Sequence, residues 1–407
     1  MKNILIVLPK LPYPLNSGGN QAVFHMIKAI MNHYHVYITF PMKKNLYETK
    51  ILSEFEKQVG KCVNILPFHK KYRLNFYTIN RIYYAILNKM IHNDIEFVHN
   101  REIWGQKDEY NLDFINHIDL LISKYNIDAI QVEFYELLHL VYALPKQIKR
   151  IFIHHELRYV RNSLIMNNYN NLNAYDKYKY NRLKAEEIIA LNNYDYIISV
   201  SDIDKNKLIN EGVSIPIFSS PFCIPQNKFP VFKPALNRLT FIAAGGHYPN
   251  VEGLNWFLTN IWKLVRNDIH LHIIGKWDEN SKKTYCKKYE RVHFEGYVED
   301  LSLIVPSSIM IVPILSGSGM RMKILEAINN SVPFVTTSVG VEGLDFINNK
   351  DCYICDRADD FAEKINNLFL DKNLQETYVY NSRKTYNEKY SYKALTDRRL
   401  KTLKDII

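Results

Sequence analysis

Between Ile309 and Leu344 the chain reads IMIVPILSGSGMRMKILEAINNSVPFVTTSVGVEGL, and no other stretch restricts its fold as much. An apolar run of strand length, Ile309 to Leu315, meets the turn Ser316-Gly317-Ser318-Gly319. Met320 to Asn330 then has helical spacing, with Met320, Ile324, Ala327 and Ile328 on one side. Pro333 closes the helical region, Pro333 to Thr337 is a second short strand, and a loop follows. Strand, glycine turn, helix and strand in that order predict a parallel α/β sheet.

A glycine turn feeding a helix N-terminus is an anion site, because unpaired N–H groups and the helix dipole point at the same spot. Arg321 and Lys323 add two cations there, and Glu326 lies three residues after Lys323 on its side of the helix. Phosphate donors at the turn and a carboxylate one turn on suit a sugar nucleotide, which has a diphosphate and ribose hydroxyls. The spacing alone also fits a plain strand-to-helix turn with a solvated basic face.

GxGxRxKxLEA at 317–327, VPFVTT at 332–337 and GVEGL at 340–344 together resemble the donor-site signature of the retaining glycosyltransferases of family 4. The resemblance implies the α/β GT-B fold, with two Rossmann-like parallel-sheet domains facing a cleft. It implies a nucleotide-sugar donor held at Gly317, Ser318, Gly319, Arg321, Lys323 and Glu326, the glutamate on the ribose hydroxyls. It also implies transfer with retention and without a metal or other cofactor, Arg321 and Lys323 stabilising the leaving diphosphate. The family's motif has two glutamates eight apart. Ser318 stands where the first would be, which leaves the donor sugar open.

The rest of the chain alternates strand and helix. Lys2 to Leu8 reads as a first strand, then Gly18-Gly19 precede a helix from Gln21 to Met31. The pair is not GxGxxG, so dinucleotide binding has little support; by resemblance Gly18 and Gly19 join the donor site from across the cleft, facing the donor phosphates, and otherwise they are a helix-entry turn. Ile127 to Phe134 is a strand carrying Glu133 at its end, 136–143 a helix, and Arg150 to Ile153 a strand running into His154-His155-Glu156. Carboxyl ends of strands hold ligands in open α/β sheets, so Glu133, His155 and Glu156 are the candidate catalytic residues of the first half. The family often has His where this chain has Glu133, and His followed by an acid where it has His155-Glu156. His154-His155-Glu156 lacks HExxH spacing, which argues against zinc, and a structural histidine pair is the other reading.

Four prolines between Pro221 and Pro234 mark a linker. We expect an acceptor-side domain over 1–220, a linker over 221–237, a donor domain over 238–385, and a terminal helix over 386–407 that crosses back to the first domain. In the second half, Gly245, Gly246 and Asn250 follow the strand Leu239 to Ala244 and join the donor-site candidates. No Lys or Arg occurs between Gly245 and Ile261, so Arg321 and Lys323 carry the diphosphate charge.

At 407 residues two domains is the default. The net charge of +10 favours anionic partners. From Lys70 to Tyr84 cations and rings interleave, which suits an anionic membrane surface or a lipid-linked acceptor, or an ordinary basic helix. No nucleic-acid module accompanies it. No run reaches the roughly 18 apolar residues of a membrane span. The five apolar residues before Pro9 are too few for a signal-peptide core, so the chain is expected in the cytoplasm, peripheral on the inner membrane face. Five scattered cysteines give no disulfide framework, and Cys352-Tyr353-Ile354-Cys355 has no second pair at zinc spacing.

The expected function is a glycosyltransferase acting on a glycan or lipid-linked acceptor in polysaccharide or glycoconjugate synthesis. A non-catalytic GT-B glycan- or nucleotide-binding partner and a sugar-nucleotide epimerase are the alternatives.

Overall fold

The computed structural model describes residues 1–15, 17–69, 112–167, 172–223, 229–317 and 319–407. Ser318 and the basic-aromatic stretch from Lys70 to Tyr84 lie outside them. The chain divides into two compact units, Met1–Phe222 with Arg398–Ile407, and Cys223–Asp397.

The first unit is a seven-stranded sheet. Its strands are β1 (Asn3–Val7), β2 (His35–Thr39), β3 (Val63–Ile65), β4 (Ala129–Glu133), β5 (Lys149–His154), β6 (Tyr196–Ser199) and β7 (Ile217–Ser219). The spatial order is β3-β2-β1-β4-β5-β6-β7, and every pairing is parallel. A parallel sheet is covered on both faces, so its strands read as continuous apolar runs. Ile4 to Val7 and Ala129 to Glu133 are buried throughout.

Helices cover this sheet: α1 (Gly18–Ile30), α2 (Leu46–Val59), α3 (Leu112–Lys124), α4 (Arg158–Asn167), α5 (Ala174–Leu191) and α6 (Asp202–Asn210). Gly18 and Gly19 are the first two residues of α1, not a turn ahead of it, because Ser17 accepts the Asn20 N–H and caps the helix one residue earlier. The segment after Pro41 contains α2, capped by Asn45. Only Phe55 and Val59 of α2 are buried, too narrow an apolar stripe to register as periodicity. Residues Tyr135–Tyr142 form a 3₁₀ helix rather than an α-helix.

The second unit repeats the plan with six strands. They are β8 (Arg238–Ile242), β9 (His270–Ile274), β10 (Val292–Gly296), β11 (Ile309–Val312), β12 (Phe334–Thr336) and β13 (Tyr353–Ile354), ordered β10-β9-β8-β11-β12-β13 and all parallel. Its helices include α7 (Tyr248–Trp256), α8 (Glu279–Lys288), α9 (Met322–Asn329), the single turn α10 (Ser338–Val341), α11 (Ala358–Leu370) and α12 (Lys372–Lys389). The last helix, α13 (Tyr392–Ile406), begins in the second unit and ends in the first, where Arg399 donates to Ser220 Oγ and to the Ser220 carbonyl at 2.9 Å each.

In each sheet the winding direction reverses once, between β1 and β4 and between β8 and β11. Loops leaving the carboxyl ends of those paired strands diverge, and the gap they leave is where open α/β sheets bind ligands.

Candidate functional site

The loop after β11 is built to bring backbone close to a ligand. Gly317 has φ +117° and Gly319 has φ +87°, conformations that L side chains rarely adopt. The loop leans on α7: Ser316 Oγ donates to Glu252 Oε2 at 2.5 Å, and the bare Cα of Gly253 lets α7 lie against the Pro313 carbonyl. Beneath it, Gly340 of α10 packs without a Cβ against Thr336 and the Val312 carbonyl, and Thr337 Oγ1 caps the Gly340 N–H at 2.8 Å. GVEGL is therefore partly a helical turn, not a simple loop.

Helix ends sort the two roles apart. Asn45, Asn173, Ser201, Asp278 and Asp371 cap α2, α5, α6, α8 and α12 through their side chains. Among the described residues α7 and α9 have no side-chain cap and no acid in the first turn. Helix α11 also lacks a cap, but Asp359 and Asp360 face its N-terminus. The two N-termini flanking the β8–β11 reversal thus carry no acid of their own, though part of their backbone is already paired: Met322 and Ile324 donate to the Met320 and Arg321 carbonyls in α9, and Asn250 to the His247 carbonyl in α7.

Lys323 and Glu326 stand on α9 with no ion pair or side-chain hydrogen bond to any described residue. Both are partly buried. Desolvation, and then the neighbouring Arg321, pull the Lys323 ammonium down to about 8 from 10.5. Burial pushes the Glu326 carboxyl above its ordinary value. Arg321 is placed differently from Lys323. It is the N-cap residue of α9, and its Nη2 donates to the Gly317 carbonyl at 2.9 Å and to Glu342 Oε2 at 3.2 Å. It braces the loop against GVEGL, so Lys323 is the cation whose charge no described side chain compensates.

Gly245 packs against Trp277, whose ring would collide with any Cβ, and Trp277 Nε1 donates to the Ala243 carbonyl at 2.7 Å. Nothing lies within 4 Å of a Cβ at Gly246, so that turn is open. Asn250 is 4% exposed; its Nδ2 donates to Ala244 at 2.9 Å, while its Oδ1 has no hydrogen bond among the described residues.

In the first unit the three residues of HHE part company. His154 is buried and bonds Glu187 at 3.1 Å; Glu187 also accepts the N–H groups of Arg158 and Tyr159 and so caps α4. Glu156, just ahead of α4, pairs with Arg161 of that helix at 3.2 Å. His155 alone turns to Glu133, its Nε2 2.5 Å from Glu133 Oε2. Gln131 Nε2 donates to the other oxygen at 2.5 Å. Gly19 lies against this group, its Cα side 3.2 Å from the Phe134 ring where a Cβ would be.

Sequence reading missed Gln131, Phe134, Phe222, Glu252 and Glu342. Glu342 sits in the quoted GVEGL, and Glu252 lies two residues after Asn250. The pairing of Glu133 with His155, 22 positions apart, had no local signal. Among the described residues no group of three or more His, Cys, Asp or Glu is placed to hold a metal, no helix is long and apolar enough to cross a membrane, and all five cysteines are free thiols.

Residues 238–371 match the family described as glycosyl transferases group 1, a stretch containing Gly245, Asn250, Lys323 and Glu326. An uncharacterized 44.6 kDa protein in the cps region of Klebsiella pneumoniae is 27% identical over 156 residues, 35% of this chain. The match spans only two fifths, 40%, of that protein. TarM of S. aureus, solved with fondaparinux, alpha-GlcNAc-glycerol and UDP, is similar with a TM-score of 0.68 at 12% identity, over 98% of this chain and 99% of its own. HepE of Anabaena, solved with UDP-glucose, is similar with a TM-score of 0.65 at 10% identity over 100% of both chains. The fold is α/β, that of the GT-B glycosyltransferases.

Proposed function

We propose that this chain is a glycosyltransferase that moves a sugar from a nucleotide diphosphate to a glycan or lipid-linked acceptor, with retention and without a metal ion, in surface polysaccharide synthesis. The observation that carries the reading is Lys323 in the first turn of α9, a helix with no side-chain cap: a partly buried ammonium with no carboxylate partner among the described residues. Such a charge is costly until an anion arrives. Glu326, one turn on, is an acceptor suited to ribose hydroxyls. When the sugar–phosphate bond breaks, charge gathers on the leaving diphosphate. Lys323, in the first turn of α9, is the charge that would meet it, and preorganised charge of this kind is usually the largest catalytic term. The cps-region relative and the UDP-bound structures support this substrate class.

The sugar, base and acceptor are found by screening nucleotide sugars for thermal stabilisation and then for turnover with glycan and lipid-linked acceptors. Saturation at about 100 times Kd stabilises by about 2.7 kcal/mol. No stabilisation by any nucleotide sugar overturns the reading. Ser318 in place of an acid favours a second reading, a non-catalytic nucleotide-binding partner. Binding without any donor breakdown selects it, and conversion of the donor without acceptor selects an epimerase.

A further inference from the structure

Glu133 ends β4 at 1% exposure. A carboxylate so placed needs donors for both oxygens. Gln131 and His155 supply them, each at 2.5 Å. Gln131 lies two residues earlier on the same face of β4, and its amide is oriented by the carboxylate, because only the NH₂ side can donate. Its Oε1 is buried with no hydrogen bond among the described residues, and its Nε2 also approaches Met26 Sδ at 3.6 Å. The three side chains form one line, from the interior of the sheet to the end of β5.

The His155 ring is fixed on its other sides as well. Phe134 stacks on one face at 4.0 Å and 13°, Phe222 on the other at 4.8 Å and 27°. Phe134 adopts φ +70°, ψ 148°, a conformation rare for an aromatic residue. Both faces are covered and Nε2 faces Glu133, and among the described residues no hydrogen bond reaches Nδ1. The neighbouring His154 shows the contrast: its side chain is 2% exposed and bonded to a carboxylate that caps a helix, whereas the His155 side chain keeps 11% exposure.

We propose that Glu133 is a positioning residue that, backed by Gln131, holds His155 with its proton on Nε2 and presents Nδ1 to a sugar hydroxyl. A carboxylate only accepts, so the nitrogen it faces carries hydrogen. Glu133 then acts through His155 and touches no substrate. The role of Nδ1 rests on the sugar-transfer reading; the fixing of the ring does not.

The test therefore has two readouts on the full chain. Selective ¹⁵N-histidine NMR, with His155→Gln for assignment, reads the ring directly and needs no turnover. Wild type should show a protonated Nε2, and Glu133→Gln should show exchange between tautomers, because an amide can donate or accept. A wild-type Nε2 without a proton, or a spectrum unchanged in Glu133→Gln, overturns the proposal. Kinetics with the nucleotide sugar that the screen identifies give the second readout. Glu133→Gln should lower kcat at least about tenfold with the donor KM within about twofold, as for loss of a group acting only in the transition state. Glu133→Gln combined with His155→Ala should be no worse than His155→Ala alone. Additive losses overturn the proposal, since independent groups add. Gln131→Met, which keeps the shape and removes the donor, should shift kcat the same way by less; an unchanged kcat there excludes Gln131 from the line. If no nucleotide sugar is turned over, the transfer reading fails and the NMR result still decides the ring.

Discussion

At the end of β4, Glu133 has both oxygens hydrogen-bonded inside the protein. At the start of α9, Lys323 and Glu326 stand three residues apart with neither ion pair nor side-chain hydrogen bond to a described residue. Both places sit beside the reversal of a parallel sheet. The difference separates two ways of preparing a site. The first unit compensates its buried charge internally and so fixes a ring in place. The second leaves charge uncompensated and so favours a ligand that supplies the missing partner. Lys323 precedes Glu326, the less favourable order for a helical pair, which helps keep them apart.

The largest effect that distinguishes the two regions is on Lys323. Lys323→Met should lower kcat by about 10² to 10³, the usual loss when one preorganised donor to developing charge is removed. The same change should leave Tm equal or higher, because it removes an ammonium that is partly desolvated and unpaired. Glu133→Ala should do the opposite to Tm. It leaves Gln131 and His155 without their acceptor, at about 1–3 kcal/mol per orphaned group. For units of this size that is a fall of several degrees, at about 2–4 °C per kcal/mol. Differential scanning calorimetry on both variants decides the comparison. A lower Tm for Lys323→Met shows that its charge is compensated after all.

Glu326 comes next. Glu326→Gln keeps the shape and weakens the acceptor for ribose hydroxyls. A hydrogen bond to a charged group contributes about 1.5–3 kcal/mol, so titration calorimetry should show nucleoside diphosphate affinity falling by roughly 10- to 100-fold. The affinity of inorganic pyrophosphate, which has no ribose, should hardly change. An equal loss for both ligands places Glu326 near the phosphates instead.

The third contrast is in pH. The ammonium of Lys323 titrates near 8 in the folded chain and near 10.5 when unfolded. The unfolded chain therefore holds more protons between those values, and stability attributable to Lys323 rises with pH across that window. The penalty is fully present below pH 8. Binding has the opposite sign. A diphosphate favours the ammonium, so nucleotide affinity should be flat below pH 8 and then fall by up to about tenfold per pH unit above it. Calorimetry in two buffers of different ionisation enthalpy should show proton uptake on binding at pH 8 to 9. Lys323→Met should abolish both the slope and the uptake.

How much of this was legible before the structure follows from range. The parallel strands were readable because both faces are covered and the runs are apolar. Gly317 and Gly319 were readable because positive φ selects glycine locally. Helix α2 was not, since tertiary contacts bury only two of its residues. Nor was the sorting of His154, His155 and Glu156, adjacent in sequence yet committed to Glu187, Glu133 and Arg161. Adjacent residues at a strand end point to opposite faces, and their partners come from elements 5 to 33 positions away. Sequence reading paired Arg321 with Lys323 as equal cations. Only coordinates show that one is held by Gly317 and Glu342 and the other is not.

That last distinction gives the smallest and most informative effect. If Arg321 braces the loop, removing its carboxylate partner should loosen the brace and weaken nucleotide binding. If instead Arg321 binds diphosphate in competition with Glu342, the same change should strengthen binding. The guanidinium side chain is 10% exposed and the Glu342 side chain 26%, so the pair is only partly desolvated. Pairs near the surface contribute about 0.2–1 kcal/mol, which bounds the change in Kd below about fivefold. Glu342→Gln should therefore raise the Kd for UDP by about two- to fivefold, with Lys323 still governing the pH slope. A lower Kd makes Arg321 a diphosphate ligand, and the two cations of the loop become equivalent again.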